Sequence, residues 1–131
     1  LNHLKGAARL RHLGLMPSRV TDAGLAYLPR LARLEELYVG GTQVTDAGLA
    51  HLEGLKELRV LSLAETRVTD AGLPRLKVLA KLQWLDLKAT GATAASVAAA
   101  VLAFAHGATI LRAHDVREHV EGLRVAAAVL A

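Results

Sequence analysis

The sequence predicts an α/β solenoid, with parallel strands on a concave face, short helices on a convex face and a helix–strand–helix cap at its C-terminal end. Three observations predict it. Residues 19–42, 43–66 and 67–90 are copies of one unit without insertion, and Val20, Val44 and Val68 stand 24 apart. The letters VTDAGL recur near the start of every copy. Each copy also changes its apolar period midway, from three residues to two. A unit this short cannot bury its own apolar face, so successive copies must rest on one another.

The first element is an incomplete copy, residues 1–18. Its Leu1, Leu4, Leu10, Leu13 and Leu15 sit 24 before Leu25, Leu28, Leu34, Leu37 and Val39. The chain opens in mid-unit and not on Met, so a preceding part is expected to be missing and Leu10, Leu13 and Leu15 to be thinly covered. In the next unit Thr21-Asp22 reads as an N-cap with an acidic first turn. Leu25, Leu28, Leu31 and Leu34 follow at a helical or 3₁₀ spacing. Pro29 limits this convex element to about two turns. Gly24, Gly48 and Gly72 fall at one position of the unit, where backbones crowd or turn. Asp22, Asp46 and Asp70 recur with them and read as turn and cap residues, not as paired catalytic acids.

The strands come next. Leu34-x-x-Leu37-x-Val39-x-x-Thr42 is repeated as Leu58-x-x-Leu61-x-Leu63-x-x-Thr66 and Leu82-x-x-Leu85-x-Leu87-x-x-Thr90. The alternation at Leu37/Val39, Leu61/Leu63 and Leu85/Leu87 is a strand period. Ser18, Thr42, Thr66 and Thr90 end the strands, with hydroxyls expected to bond the neighbouring rung's backbone. These residues resemble the leucine-rich repeat, in its bacterial form with a T-x-V-T-D-A-G-L turn. The resemblance covers residues 1–90 and implies a solenoid whose concave strand face binds other molecules.

After Thr90 the repeat stops. Residues 91–131 read as an Ala-rich helix (about 93–106), a stop at Gly107, a strand (about 108–113) and a helix (about 116–130) capped by Asp115. Val116, Val120, Leu123 and Ala127 mark the last helix's apolar stripe. The run Gly107-Ala108, Ile110-Leu111-Arg112-Ala113-His114-Asp115-Val116 and Leu123-Arg124-Val125 resembles the C-terminal end of dihydropteroate synthase. That family is a (β/α)₈ barrel joining a dihydropterin pyrophosphate to p-aminobenzoate. The resemblance implies an anion site for substrate phosphates at Arg112 and His114, although Ala113 stands where an aliphatic residue such as Val is common. The earlier barrel strands, the pterin-holding residues and the phosphate loop are absent. One strand of eight cannot close a barrel, so catalysis by this chain is not expected. Two readings of the tail stand. In the favoured one it caps the stack, since Leu111 lies 24 after Leu87. In the other it is a barrel remnant joined by a fusion, a truncated frame or an assembly artefact. Pairing of strand 108–113 with strand 84–88 separates them.

Composition narrows the function. There is no Cys and four residues are aromatic. No disulfide framework or Cys-based zinc site is possible, which suits a cytoplasmic protein. No signal peptide is visible. The uncharged stretch Ala89–Leu111 fits a buried helix plus strand better than a membrane span. The net charge is +4, with Lys5, Arg9, Arg11, Arg19, Arg30 and Arg33 near the start opposed by Asp22 alone. These basic residues lie between convex leucines without aromatic partners, so a solvated face explains them better than a nucleic-acid surface. The six His are scattered, with no converging metal set. Neither a phosphate loop nor a nucleophile constellation is present, so no cofactor, metal or catalytic residue is assigned.

Binding is expected on the strand face turned away from the core. Alternation puts His12, Gly14, Met16, Glu36, Tyr38, Gly40, Val60, Ser62, Ala64, Trp84, Asp86 and Lys88 there. Glu36, Tyr38, Ser62, Trp84, Asp86 and Lys88 are the candidate contacts with a protein or peptide partner, because aromatic side chains commonly anchor interfaces. A noncatalytic interaction module is therefore the primary reading. The rival is a pterin-related remnant holding phosphate or pyrophosphate at Arg112 and His114.

Overall fold

A computed structural model describes residues 7–93 and the strand Ile110–Arg112. The alternating segments form strands: β1 (His12–Gly14), β2 (Glu36–Tyr38), β3 (Val60–Ser62), β4 (Trp84–Asp86) and β5 (Ile110–Arg112). They make one parallel sheet in the order β1-β2-β3-β4-β5. Leu13, Leu37, Leu61 and Leu85 stand opposite one another in successive strands. Their register follows directly from the repeat. Parallel neighbours need a crossover, and here the convex segment of each unit supplies it.

That convex segment is tighter than an α-helix. One α-turn, α1 (Asp22–Leu25), is followed by a 3₁₀ turn at Leu28–Arg30. The next two units use 3₁₀ segments, Asp46–Leu52 and Leu73–Val78. Leucines three apart eclipse one another in a 3₁₀ helix and so share one face. Pro29 and Pro74 sit in the first turn of their 3₁₀ segments, where a missing N–H costs nothing. Thr21 occupies the N-cap position without a side-chain bond, whereas Thr45 Oγ1 accepts from the Ala47 N–H at 3.3 Å.

Between sheet and convex layer lies the core. Leu25, Leu28, Leu34, Leu37 and Val39 are fully buried, and so are their counterparts Leu49, Leu58, Leu61 and Leu63. Each is worth roughly 1.5–3 kcal/mol against exposure. Val39, Leu63 and Leu87 fall just beyond the strand ends yet remain inside. Leu10, Leu13 and Leu15 are only partly buried against this core, as the first rung was expected to be.

Two polar assignments need correcting. Thr42, Thr66 and Thr90 do not bond the adjacent rung. Their hydroxyls donate to their own strand's Val39, Leu63 and Leu87 carbonyls at 2.6, 2.6 and 2.8 Å, because the turn brings the carbonyl three residues back into reach. The Asp residues do the reverse and act between units. Thr45 donates its N–H and hydroxyl to Asp22 Oδ1 and Oδ2 at 2.8 and 2.6 Å. Thr69 does so to Asp46, and Thr93 to Asp70. Each carboxylate thus staples its unit to the following one.

The tail strand joins the sheet, but with a different step. Leu111 stands opposite Leu85, not Leu87, so the spacing lengthens from 24 to 26 residues. A shift by two keeps alternate residues on their original faces, whereas a shift by one would invert them. The predicted helices at 93–106 and 116–130 lie outside the described residues, apart from Thr93. No helix among the described residues is long and apolar enough to cross a membrane.

Candidate binding face on the strands

Parallel register arranges the outward strand residues in rows. The first row runs His12, Glu36, Val60 and Trp84 and the second Gly14, Tyr38, Ser62 and Asp86, with Ile110 and Arg112 at the backbone register positions opposite Trp84 and Asp86. Adjacent members are about 4.8 Å apart. The six candidate contacts therefore share one surface, but not equally. Glu36, Tyr38 and Trp84 are half-buried, and Lys88 is exposed just past β4. Ser62 and Asp86 are 4% and 6% exposed. These last two form the floor of the face more than its contact surface.

The Glu36 end is held by its neighbours. Tyr38 Oη donates to Glu36 Oε2 at 3.0 Å, and His12 Nδ1 lies 3.0 Å from the same oxygen. The His12 bond, then the Tyr38 bond, hold the Glu36 carboxyl below the ordinary carboxylate range against the opposing effect of burial. Tyr38 is pushed the other way, first by burial and then by its bond to the carboxylate. His12 was placed on this face from its sequence position, but not among the contacts. Its link to Glu36 was legible all the same, since the two occupy the same position in successive units.

At the opposite end Asp86 Oδ1 accepts from the Lys88 N–H at 3.0 Å. Arg112 stands opposite Asp86 in the β4–β5 register. His114, the second proposed anion ligand, lies outside the described residues. The sheet thus puts Arg112 at the register position that continues the row of Tyr38, Ser62 and Asp86, a juxtaposition that no spacing in residues 91–109 revealed.

Two depressions flank the face. One, of about 370 Å³, lies at the N-terminal ends of the strands among Arg11, Arg33, Glu35 and Glu57. There Arg11 pairs with Glu35 at 3.4 Å and Lys81 with Glu57 at 2.7 Å. The other, of about 170 Å³, follows the C-terminal ends and is lined by Met16, Pro17, Gly40, Gly41, Ala64 and Glu65. Gly41 and Glu65 there take left-handed backbone angles, as does Ala89 one unit on. Among the described residues no group of three His, Cys, Asp or Glu is placed to hold a metal ion.

No protein-family model matches the chain, and a search of curated proteins returns no match either. Solved structures do match. Internalin C2 from Listeria monocytogenes superposes with a TM-score of 0.71 at 23% identity over 90% of this chain and 50% of its own. Actin-binding site 2 of leiomodin-1 gives 0.71 at 15% identity over 98% and 83%. A leucine-rich repeat protein of Leptospira interrogans gives 0.56 at 17% over 84% and 33%. The chain spans half the length of the internalin it matches. Taken with the stacked rungs, the parallel register and the buried leucine spine, these likenesses identify the fold as the leucine-rich repeat solenoid.

Proposed function

We propose that the chain is a noncatalytic protein- or peptide-binding module that uses its concave strand face, with Glu36, Tyr38, Ser62, Trp84, Asp86 and Lys88 at the contact. Residues 1–90 supply the rungs and residues 91–131 close the far end. One observation carries the reading: Tyr38 and Trp84, two of the chain's four aromatic residues, stand half-buried on one open sheet face. Tyr38 is fixed there by its bond to Glu36. Rigid amphipathic rings lose little entropy on binding, which suits them to anchor a partner. The fold is put to protein contact elsewhere, as the name of the leiomodin-1 segment says of actin.

The β5 register weighs against the phosphate reading. Arg112 falls beside Asp86, and a carboxylate in that position repels a phosphate. Affinity capture from a cell lysate tests the main reading. A protein retained by the wild-type chain should be lost with Tyr38→Ala plus Trp84→Ala while the circular dichroism spectrum stays unchanged. Equal capture by both proteins refutes it.

A further inference from the structure

The same face has a chemical preference, and this inference rests on its being the binding surface. Tyr38 Oη donates to Glu36 Oε2, and His12 Nδ1 lies 3.0 Å from the same oxygen. Among the described residues the Glu36 side chain is bonded only through Oε2, and it is 31% exposed. A carboxylate fixed by one oxygen, with the other open, is pre-organised to accept a bond from a cation. Along the same row Val60 and then Trp84 follow Glu36. They offer half-buried apolar surface about 5 and 10 Å away. In an extended peptide, side chains two residues apart point the same way about 7 Å apart. That distance falls between the Glu36–Val60 and Glu36–Trp84 separations.

We propose that Glu36 and the Val60–Trp84 pair form a two-point site for an extended peptide segment carrying one Lys or Arg and, two residues along, an apolar side chain. The cation meets Glu36 Oε1, and the apolar group lies across Val60 and the indole. One cation is the right number. The chain carries a net charge of +4, and Lys88 is exposed at the edge of the face, so a run of basic residues is repelled while a single one is held at short range.

Trp84 is the only Trp, so its fluorescence reads this surface directly. The probes are N-acetylated, C-amidated Lys-Ser-Leu and Glu-Ser-Leu, titrated to high millimolar concentration. Lys-Ser-Leu should bind about three- to fivefold more tightly, the range of an exposed ion pair. Glu36→Gln should abolish the difference, and Glu36→Lys should reverse it. Equal binding of the two peptides, or tighter binding of Glu-Ser-Leu, overturns the cationic preference and leaves the broader reading of the face intact. If neither peptide moves the Trp84 emission, the two-point site falls, while the broader reading of the face still stands or falls on affinity capture with Tyr38→Ala plus Trp84→Ala.

Discussion

Gly48 and Gly72 lack a side chain because Asp22 and Asp46 fill the space one would need. A Cβ on Gly48 would collide with Asp22 Oδ1 and lie 3.1 Å from Val44 Cγ1; one on Gly72 would collide with Asp46 Oδ1. Three of the letters in VTDAGL therefore answer to one contact. Asp provides the acceptors, Thr of the next unit the donors, and Gly the room. Replacing Gly48 by Ala should cost about 1–3 kcal/mol, as overpacking does. In an Asp22→Ala background the added cost should shrink, and urea unfolding of the four proteins in this cycle measures it. An undiminished cost would mean that Val44, not the carboxylate, sets the constraint. The sequence marked Asp and Gly as special but assigned them local work. Periodicity displays neighbours along the chain, while the partner of Asp22 is 23 residues away and becomes adjacent only in the stack.

Each convex segment and strand was legible as an element because leucine spacing encodes it. The spacing of three left α and 3₁₀ geometry open, whereas the register of β1 to β4 follows from the period of 24. The longer step before β5 was not legible, since residues 91–109 keep Thr93 and Ala95 of the repeated letters but none of the leucine frame that would set a register. Cross-strand chemistry at this scale gives two predictions. Glu36 titrates below its ordinary value of 4.5 because of the bonds from His12 and Tyr38. A carboxyl whose folded pKa is depressed adds stability above its unfolded pKa, and that stability is lost as pH falls through the folded value. Unfolding free energy should therefore drop as pH falls below about 4.5, and His12→Ala should flatten the drop; carboxyl ¹³C titration locates the Glu36 midpoint. The second concerns Asp86 and Arg112, opposite charges in register. A double-mutant cycle with Asp86→Ala and Arg112→Ala should return a coupling of about 0.2–1 kcal/mol. A coupling of zero would mean that the two charges do not meet and would reopen Arg112 to an anion.

For the molecule as a whole, stability is a sum over rungs and the contacts between them, each unit touching its neighbours in the stack. This is why the fold of residues 19–90 could be read from three lines of near-identical text, and why the binding face could be located but not ranked. Alternation told which residues point outward. It did not tell that Ser62 and Asp86 would sink to 4% and 6% exposure between their neighbours while Glu36 kept an open oxygen. Excising residues 43–66 should leave a cooperatively folding protein, because Asp22 would then meet Thr69 and Leu37 would meet Leu85. Excising residues 43–65 should not, since the frame of every later rung slips by one. Thermal unfolding followed by circular dichroism distinguishes the two deletions.

The staple between units has a consequence for heredity. Both joins between complete units use the same donors, acceptor and gap, so a recombination event that doubles or drops one whole unit makes a junction chemically identical to those two. A lineage carrying this gene can widen or narrow the surface it offers to others by copying error alone, without first inventing a new way to hold the pieces together.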